Sequence, residues 1–376
     1  MPRITVSAVR IRSLLKNRHL RVEEVAQSVA LSADLRALVE RDVEVDFGDL
    51  LILAKYFKRP WSYLLSDEEE HFPNLGQDNR TFANRQAPVS PELIVEYEAA
   101  SLMIDTAVEL FPESAYEIPS VRLAPDVMVS RVAPEIRAFL AVSYSQQTKA
   151  SDAYAALRIW VEALQRRGVY VSQRSLRDKT VRAFSKVRDG QALIVVDTTD
   201  TPYARIFSIL HEYCHVLLRS TGICDLDEHS AIEHYCNEIA ASVLLPDDLL
   251  SAQMSSVTFG NSAEEDDEQL IRLSHFLHVS QAALLIRLQG NGAISETLFN
   301  SMETRRQRRR AGDAGKKGGD YYPAAINRVG RLFALNVFGA VSEGTLDRQD
   351  AGMLLGIGEH IVDRFRSELF EGGAAK

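Results

Sequence analysis

Residues 207–220 read FSILHEYCHVLLRS. Two histidines, His211 and His215, stand four apart, and Glu212 directly follows the first. Phe, Ile, Leu and Val surround them, and neither Pro nor Gly interrupts the run. On a helix, positions i and i+4 share a face, so the two imidazoles present themselves to one point. Glu212 lies next to that face, within reach of a water at the same point. The spacing is that of H-E-x-x-H, which supplies two metal ligands and a general base. A divalent cation lowers the pKa of a bound water, and the carboxylate takes its proton as the water attacks a carbonyl. The same cation explains why ionisable groups are tolerated in a buried helix, because it pairs with them.

A catalytic site of this kind takes a third protein ligand and keeps one position open. The following segment, DEHSAIEHYCNEIAASVLLP, holds Glu228, His229, Glu233, His234, Cys236 and Glu238. Glu233 falls 18 residues after His215, which leaves room for a loop and an antiparallel return. It shares a helical face with Asn237, Ala240 and Ala241, residues that permit close packing against the first helix. Glu233 is therefore the leading third ligand, with Glu238, His229, His234 and Cys236 as alternatives. Cys214 and Cys236 occupy positions where a small apolar residue fits, and core filling accounts for both.

These two helices need a scaffold, and the chain is long enough to build one. It has 376 residues, 46% hydrophobic and 25% charged, a globular composition sufficient for two or three domains. A net charge of −9 excludes a protein that coats nucleic acid along its whole length. No apolar run reaches the ~20 residues of a membrane span. The N-terminus does not read as a signal peptide, and three cysteines give no disulfide framework, so the expected location is cytoplasmic. Residues 1–66 read as short packed helices, with Ser32 as an N-cap and Pro60 as a breaker. Residues 67–92 read as a linker, and 93–112 and 134–167 as helical, with an irregular stretch between. GVYVSQ, VRAFSKV and QALIVVD are short and β-branched, and Asp189-Gly190 marks a hairpin turn between the last two. Helices return with PYARIFSILHEYCHVLLRS and HSAIEHYCNEIAASVLLP, the second ending at Pro246, and a further helical region covers roughly 266–310. A Gly- and Lys-rich segment then precedes a last helical piece at 322–370.

FSILHEYCHVLL followed by IEHYCNEIAASVLLP resembles the ImmA/IrrE family of metallo-endopeptidases. In that family an H-E-x-x-H helix is followed by E-x-x-x-N-x-x-A-x-x-x-L-x-P on a second helix. Glu233, Asn237, Ala240, Leu244 and Pro246 fit the pattern. The segment AFSKVRDGQALIVVDTTDTPYARIFSI is similar to the family's hairpin and lead-in to the active-site helix. The resemblance covers roughly residues 150–250, and the far C-terminus is similar to a tail on longer members. Tyr213-Cys214 departs from the small pair common at that place. The resemblance implies His211, His215 and Glu233 as metal ligands, Glu212 as catalytic base and Zn2+ as the metal; the donor set also admits Mn2+. It implies regulated, site-specific cleavage of a protein, such as a DNA-bound repressor or an antitoxin-like partner. The runner-up function is a transcription regulator whose peptidase-like domain senses without cutting. If the 181–187 strand lies at a sheet edge, it could receive a substrate segment by strand addition.

Residues 1–66 resemble the helix-turn-helix domains of phage-repressor type, with EEVAQSVALSADLRALVERDV as the second and third helices. They carry eleven Lys and Arg against eight Asp and Glu. The recognition helix offers few base readers, namely Ser32, Asp34 and Arg36, and ERDVEVDFGD follows it. DNA binding through this module stands against dimerisation or partner docking, with docking preferred. RRQRRR at 305–310 reads as the solvated end of a helix, with a contact to nucleic acid or an acidic partner as the alternative. The expected fold is thus α+β and mainly α. A helix-turn-helix-like domain (1–66) and a linker (67–92) precede a zincin-like metallopeptidase domain with a small sheet (93–260). A helical extension (261–310) and a helical C-terminal region (311–376) follow.

Overall fold

The computed structural model describes residues 3–17, 21–57, 61–65, 90–178, 181–220, 229–254, 257–260, 262–311 and 321–371. They fall into two compact units, the first ending at Glu98 and the second beginning at Ala99.

The first unit comprises β1 (Arg3–Val6), α1 (Ala8–Asn17), α2 (Val22–Ser28), α3 (Leu35–Glu40), β2 (Val43–Asp46), α4 (Phe47–Tyr56) and a 3-10 turn at Trp61–Leu65. The expected helices are present, joined by an antiparallel β1–β2 ladder that the sequence reading did not anticipate. RITV and VEVD are four residues each, too short for a periodic signal, and their pairing is set across about 40 residues of chain. The N-cap of α3 is Asp34, whose side chain accepts from the Arg36 amide, and not Ser32. Ser32 instead donates its hydroxyl to buried Asp49, at 2.6 Å, and the same carboxylate accepts from the Ser32 and Ala33 amides. The charges of ERDVEVDFGD therefore have internal work. Asp42 accepts from the Ala8 amide, Asp46 caps α4, and Asp49 fixes the α2–α3 turn.

α5 (Pro91–Leu110) leads into α6 (Val129–Leu140), α7 (Tyr144–Thr148) and α8 (Ala153–Gln165), so the stretch expected to be helical from 134 to 167 is three helices. A sheet follows, of β3 (Val169–Arg174), β4 (Ala183–Arg188) and β5 (Gln191–Asp197), in the order β3-β5-β4. β4 and β5 form the hairpin the Asp-Gly pair announced. Both turn residues have positive φ, 46° at Asp189 and 79° at Gly190, as a tight hairpin requires. β3 runs parallel to β5, with α9 (Pro202–Ser220) continuing from β5. Then come α10 (His229–Leu244), α11 (Asp247–Met254), α12 (Ala263–Phe276), α13 (Gln281–Gly290) and α14 (Glu296–Ala311). One apolar core draws on buried residues from Leu123 through Met302 in the chain. The segment expected as an extension, 261–310, shares that core through Leu270, Leu273, Leu284, Leu285 and Leu288. Arg305 and Arg309 both pair with Asp267, and Arg306 with Glu303, so the described part of RRQRRR helps fasten α14 to α12.

Of the C-terminal helices α15 (Tyr321–Val329), α16 (Arg331–Ser342), α17 (Arg348–Leu355) and α18 (Val362–Glu371), the first two cover β3, and the last two pack on them. Gly330, at the α15–α16 junction, has φ 83°, and a Cβ there would stand 2.5 Å from the Val171 carbonyl oxygen. Phe333 sets its ring edge-on against Tyr170, and Asn336 donates to the Tyr170 hydroxyl at 2.9 Å. No described helix is long and apolar enough to cross a membrane.

Candidate metal centre

The entry to α9 is locked before the first histidine arrives. Asp197, fully buried at the end of β5, accepts from the Leu176 and Thr199 amides and the Thr199 hydroxyl. Arg205, in the first turns of α9, donates to the Asp200 carbonyl at 2.8 Å, the Thr198 carbonyl at 2.6 Å and Gln173 at 3.2 Å. Burial, opposed by neighbouring Tyr154 and Asp197, holds its pKa below the usual guanidinium value. The helix then runs through the core with Ile206, Ile209, Leu210, Tyr213, Val216 and Leu217 all buried. His211 is 0% exposed and Glu212 1%.

α10 packs against α9, α6 and α13, and its Ala240 and Ala241 are fully buried. Its C-terminal carbonyls are capped by three distant side chains. Arg137 donates to the Val243 carbonyl at 2.6 Å, Gln147 to the Leu244 carbonyl at 3.2 Å, and Arg287 to the Leu245 carbonyl at 2.8 Å. Arg137 is 6% exposed and also bonds Gln147 and stacks over Tyr144 and Trp160. Burial lowers its pKa to about 10, and the negative end of the α10 dipole favours its charge. Replacing it with Met keeps most of the volume and strands the Val243 carbonyl and the Gln147 side-chain oxygen. Arg137→Met is expected to cost about 3 kcal/mol, read as a fall in the urea unfolding midpoint. A midpoint within error of wild type would contradict this.

With both helices fixed, His211, His215 and Glu233 converge, each offering one atom within 4.8 Å of the others. The two Nε2 atoms are 3.1 Å apart. Glu233 bridges them, Oε2 lying 3.2 Å from His211 and Oε1 3.1 Å from His215. Burial acts to raise the Glu233 pKa, and the two imidazoles overcome it, holding the carboxyl far below its usual range. Burial likewise acts to lower the His215 pKa, and bonds to Cys236 and Glu233 overcome it, leaving it well raised. A tetrahedral ion at about 2.1 Å from its ligands sets their atoms about 3.4 Å apart, so the observed separations fit one small cation.

The other candidates are placed elsewhere. His234 and Glu238 pair with each other, 3.4 Å apart, on an exposed face of α10. Cys236 contacts His215 and Cys214, both thiols being buried, and stands outside the converging triad. Burial and the Cys214 contact push the Cys236 thiol well up, which keeps it protonated. Glu228 and the side chain of His229 lie outside the described residues. The sequence reading missed Ser185 on β4, whose hydroxyl donates to Glu212 Oε2 at 2.9 Å. A serine between Ala183 and Val187 on one face of the strand was the available signal, and it did not say which helix the strand would face.

An H-E-x-x-H helix, a partner helix bringing a carboxylate to the same point, and a small mixed sheet whose edge strand touches the glutamate define a metallopeptidase-type domain. Residues 164–289 match the IrrE N-terminal-like domain of the Peptidase_M78 family, from the end of α8 through α13. The matched segment is about a third of the chain, and the match agrees with the resemblance carried by the two helices. No curated protein gives a significant match.

Proposed function

We propose that the protein is a zinc-type metallo-endopeptidase that makes a regulated cut in a partner protein, of repressor or antitoxin-like kind. The observation that carries this reading is the meeting of His211, His215 and Glu233 with Glu212 beside them, on two helices of which one is tied down at its start and the other at its end. His211, His215 and Glu233 would hold the ion; two imidazoles and one carboxylate suit Zn2+ and admit Mn2+. When bound, such an ion supplies Lewis acidity, activating water and polarising the scissile carbonyl. Glu212 takes the proton from the attacking water at its carboxylate and delivers it to the departing amide nitrogen. The apolar surroundings of α9 exclude bulk water, which strengthens each of these interactions. β4 is the sheet-edge strand beside the site, and an extended substrate segment added there would lie along the ligands.

The test is to treat extract of the source cells with the zinc-loaded protein and map newly formed N-termini. A small set of cuts made by wild type and absent with Glu212→Gln supports the proposal. A sensor that does not cut would give identical maps for the two proteins.

For the N-terminal unit, docking of a protein partner or a second copy is the better supported role. α3 is only six residues long. Arg10 is buried, Arg12 donates to the Val39 carbonyl at the end of α3, and Arg36 lies 3.7 Å from Glu23. Three of the unit's cations are thereby engaged within it, among them the one Arg of the six-residue helix. Deleting residues 1–66 is expected to leave metal content unchanged, since every proposed ligand lies beyond residue 200, and to alter substrate capture or mass in solution. Duplex DNA binding by the full chain that weakens steeply with salt and vanishes on this deletion would reverse the assignment.

A further inference from the structure

Side chains alternate along a strand, so Ala183, Ser185 and Val187 of β4 share one face. Ala183 and Val187 are apolar, and between them Ser185, 7% exposed, presents a hydroxyl to α9. A buried hydroxyl is costly unless it is bonded, and this one donates to Glu212 Oε2 at 2.9 Å. The donor is held in place by the β4–β5 ladder, where Ser185 sits opposite Ile194 on the sheet's central strand. The acceptor is held by α9, whose entry is tied down through Asp197 and Arg205. A glutamate side chain has three rotatable torsions, and a fixed donor on one carboxylate oxygen selects among the resulting orientations.

We infer that Ser185 is a positioning residue: its hydroxyl, carried on the sheet-edge strand, orients the Glu212 carboxylate toward the point where His211, His215 and Glu233 converge. The inference deepens the reading of Glu212 as the base and rests on it. Ser185 touches neither the ion nor the substrate in this role. It also couples the strand beside which substrate would lie to the group that moves the proton.

The experiment uses the full chain loaded with cobalt(II), whose visible d–d bands respond to the geometry around the ion and to a carboxylate beside its open position. Wild type, Ser185→Ala, Ser185→Thr and Glu212→Gln are compared for stoichiometry, affinity and spectrum. Ser185→Ala is expected to bind about one cobalt ion per chain with affinity within about threefold of wild type, because no ligand has changed. Its visible bands are expected to shift toward those of Glu212→Gln, and Ser185→Thr, which keeps the hydroxyl, to restore the wild-type spectrum. Against a peptide spanning a mapped cut, the alanine variant is expected to lose roughly 10–100-fold in kcat at unchanged KM, the usual scale for an orienting partner. An alanine spectrum that superimposes on wild type overturns the proposal. So does a threonine variant as altered as the alanine one, since packing would then be the cause. A wild-type chain that binds no cobalt fails differently: it removes the metal-site reading, and the role of Ser185 with it.

Discussion

Glu212→Gln is expected to keep the fold and about one divalent ion per chain while cleavage falls by a factor on the order of 10²–10⁴. The two side chains have nearly the same shape, and the amide oxygen still accepts the Ser185 hydroxyl that now meets Glu212 Oε2 at 2.9 Å. What is lost is a basic oxygen. An amide cannot take the proton of the attacking water, so the nucleophile must form at the metal's own acidity alone. Neither histidine is changed, and the variant's metal content should match that of wild type by elemental analysis. Undiminished cutting at the mapped sites would remove Glu212 as the base. Loss of metal together with activity would show instead that the carboxylate serves the ligand set.

The second large effect is on metal-linked stability. A ligand that binds only the folded state stabilises it by about 4 kcal/mol at a thousand times its dissociation constant. Free Zn2+ at that level is therefore expected to raise the wild-type unfolding midpoint by several degrees, and a chelator to reverse the shift. In His211→Ala and Glu233→Ala most of the shift is expected to disappear at the same zinc concentration. Each removes one of the three converging atoms, and two donors do not make a closed site. Glu233→Ala carries the more decisive information, because Glu233 comes from a different helix and from a spacing argument with several alternatives. One ion per chain and a full zinc shift in that variant would place the third ligand elsewhere. Glu238 is paired to His234 on the surface, and Cys236 contacts His215 but stands outside the converging group.

The strongest sequence signals were local ones. His211 and His215 share a face because helical geometry alone puts i and i+4 together, and an apolar run without Pro or Gly ensures the helix. The hairpin was legible in Asp189-Gly190, because two consecutive positive-φ residues are chemically restricted. Glu233 as the partner followed from loop length and from small residues on the same face of α10. In each case the information sits within one element or between chain neighbours.

Other features depended on pairings that no local pattern encodes. The β1–β2 ladder joins two tetrapeptides far apart in sequence, and the register of each is fixed by what it packs on. The Asp49 carboxylate looked like a surface charge facing phosphates and proved to hold the Ser32–Ala33 turn. The basic run at 305–309 reads as solvated until α12 brings Asp267 against it. Arg137 reaches the end of α10 from 106 residues away. Ser185 has no sequence signature as a partner of Glu212, because strand alternation gives a face and not the element that face will meet. Spacing along α9 thus determined that His211 and His215 could share a cation, and spacing to the next helix made Glu233 the leading third group. Only the packing of β4, α9 and α10 decided which neighbours hold those groups in place, since contacts between elements depend on the whole core that brings them together.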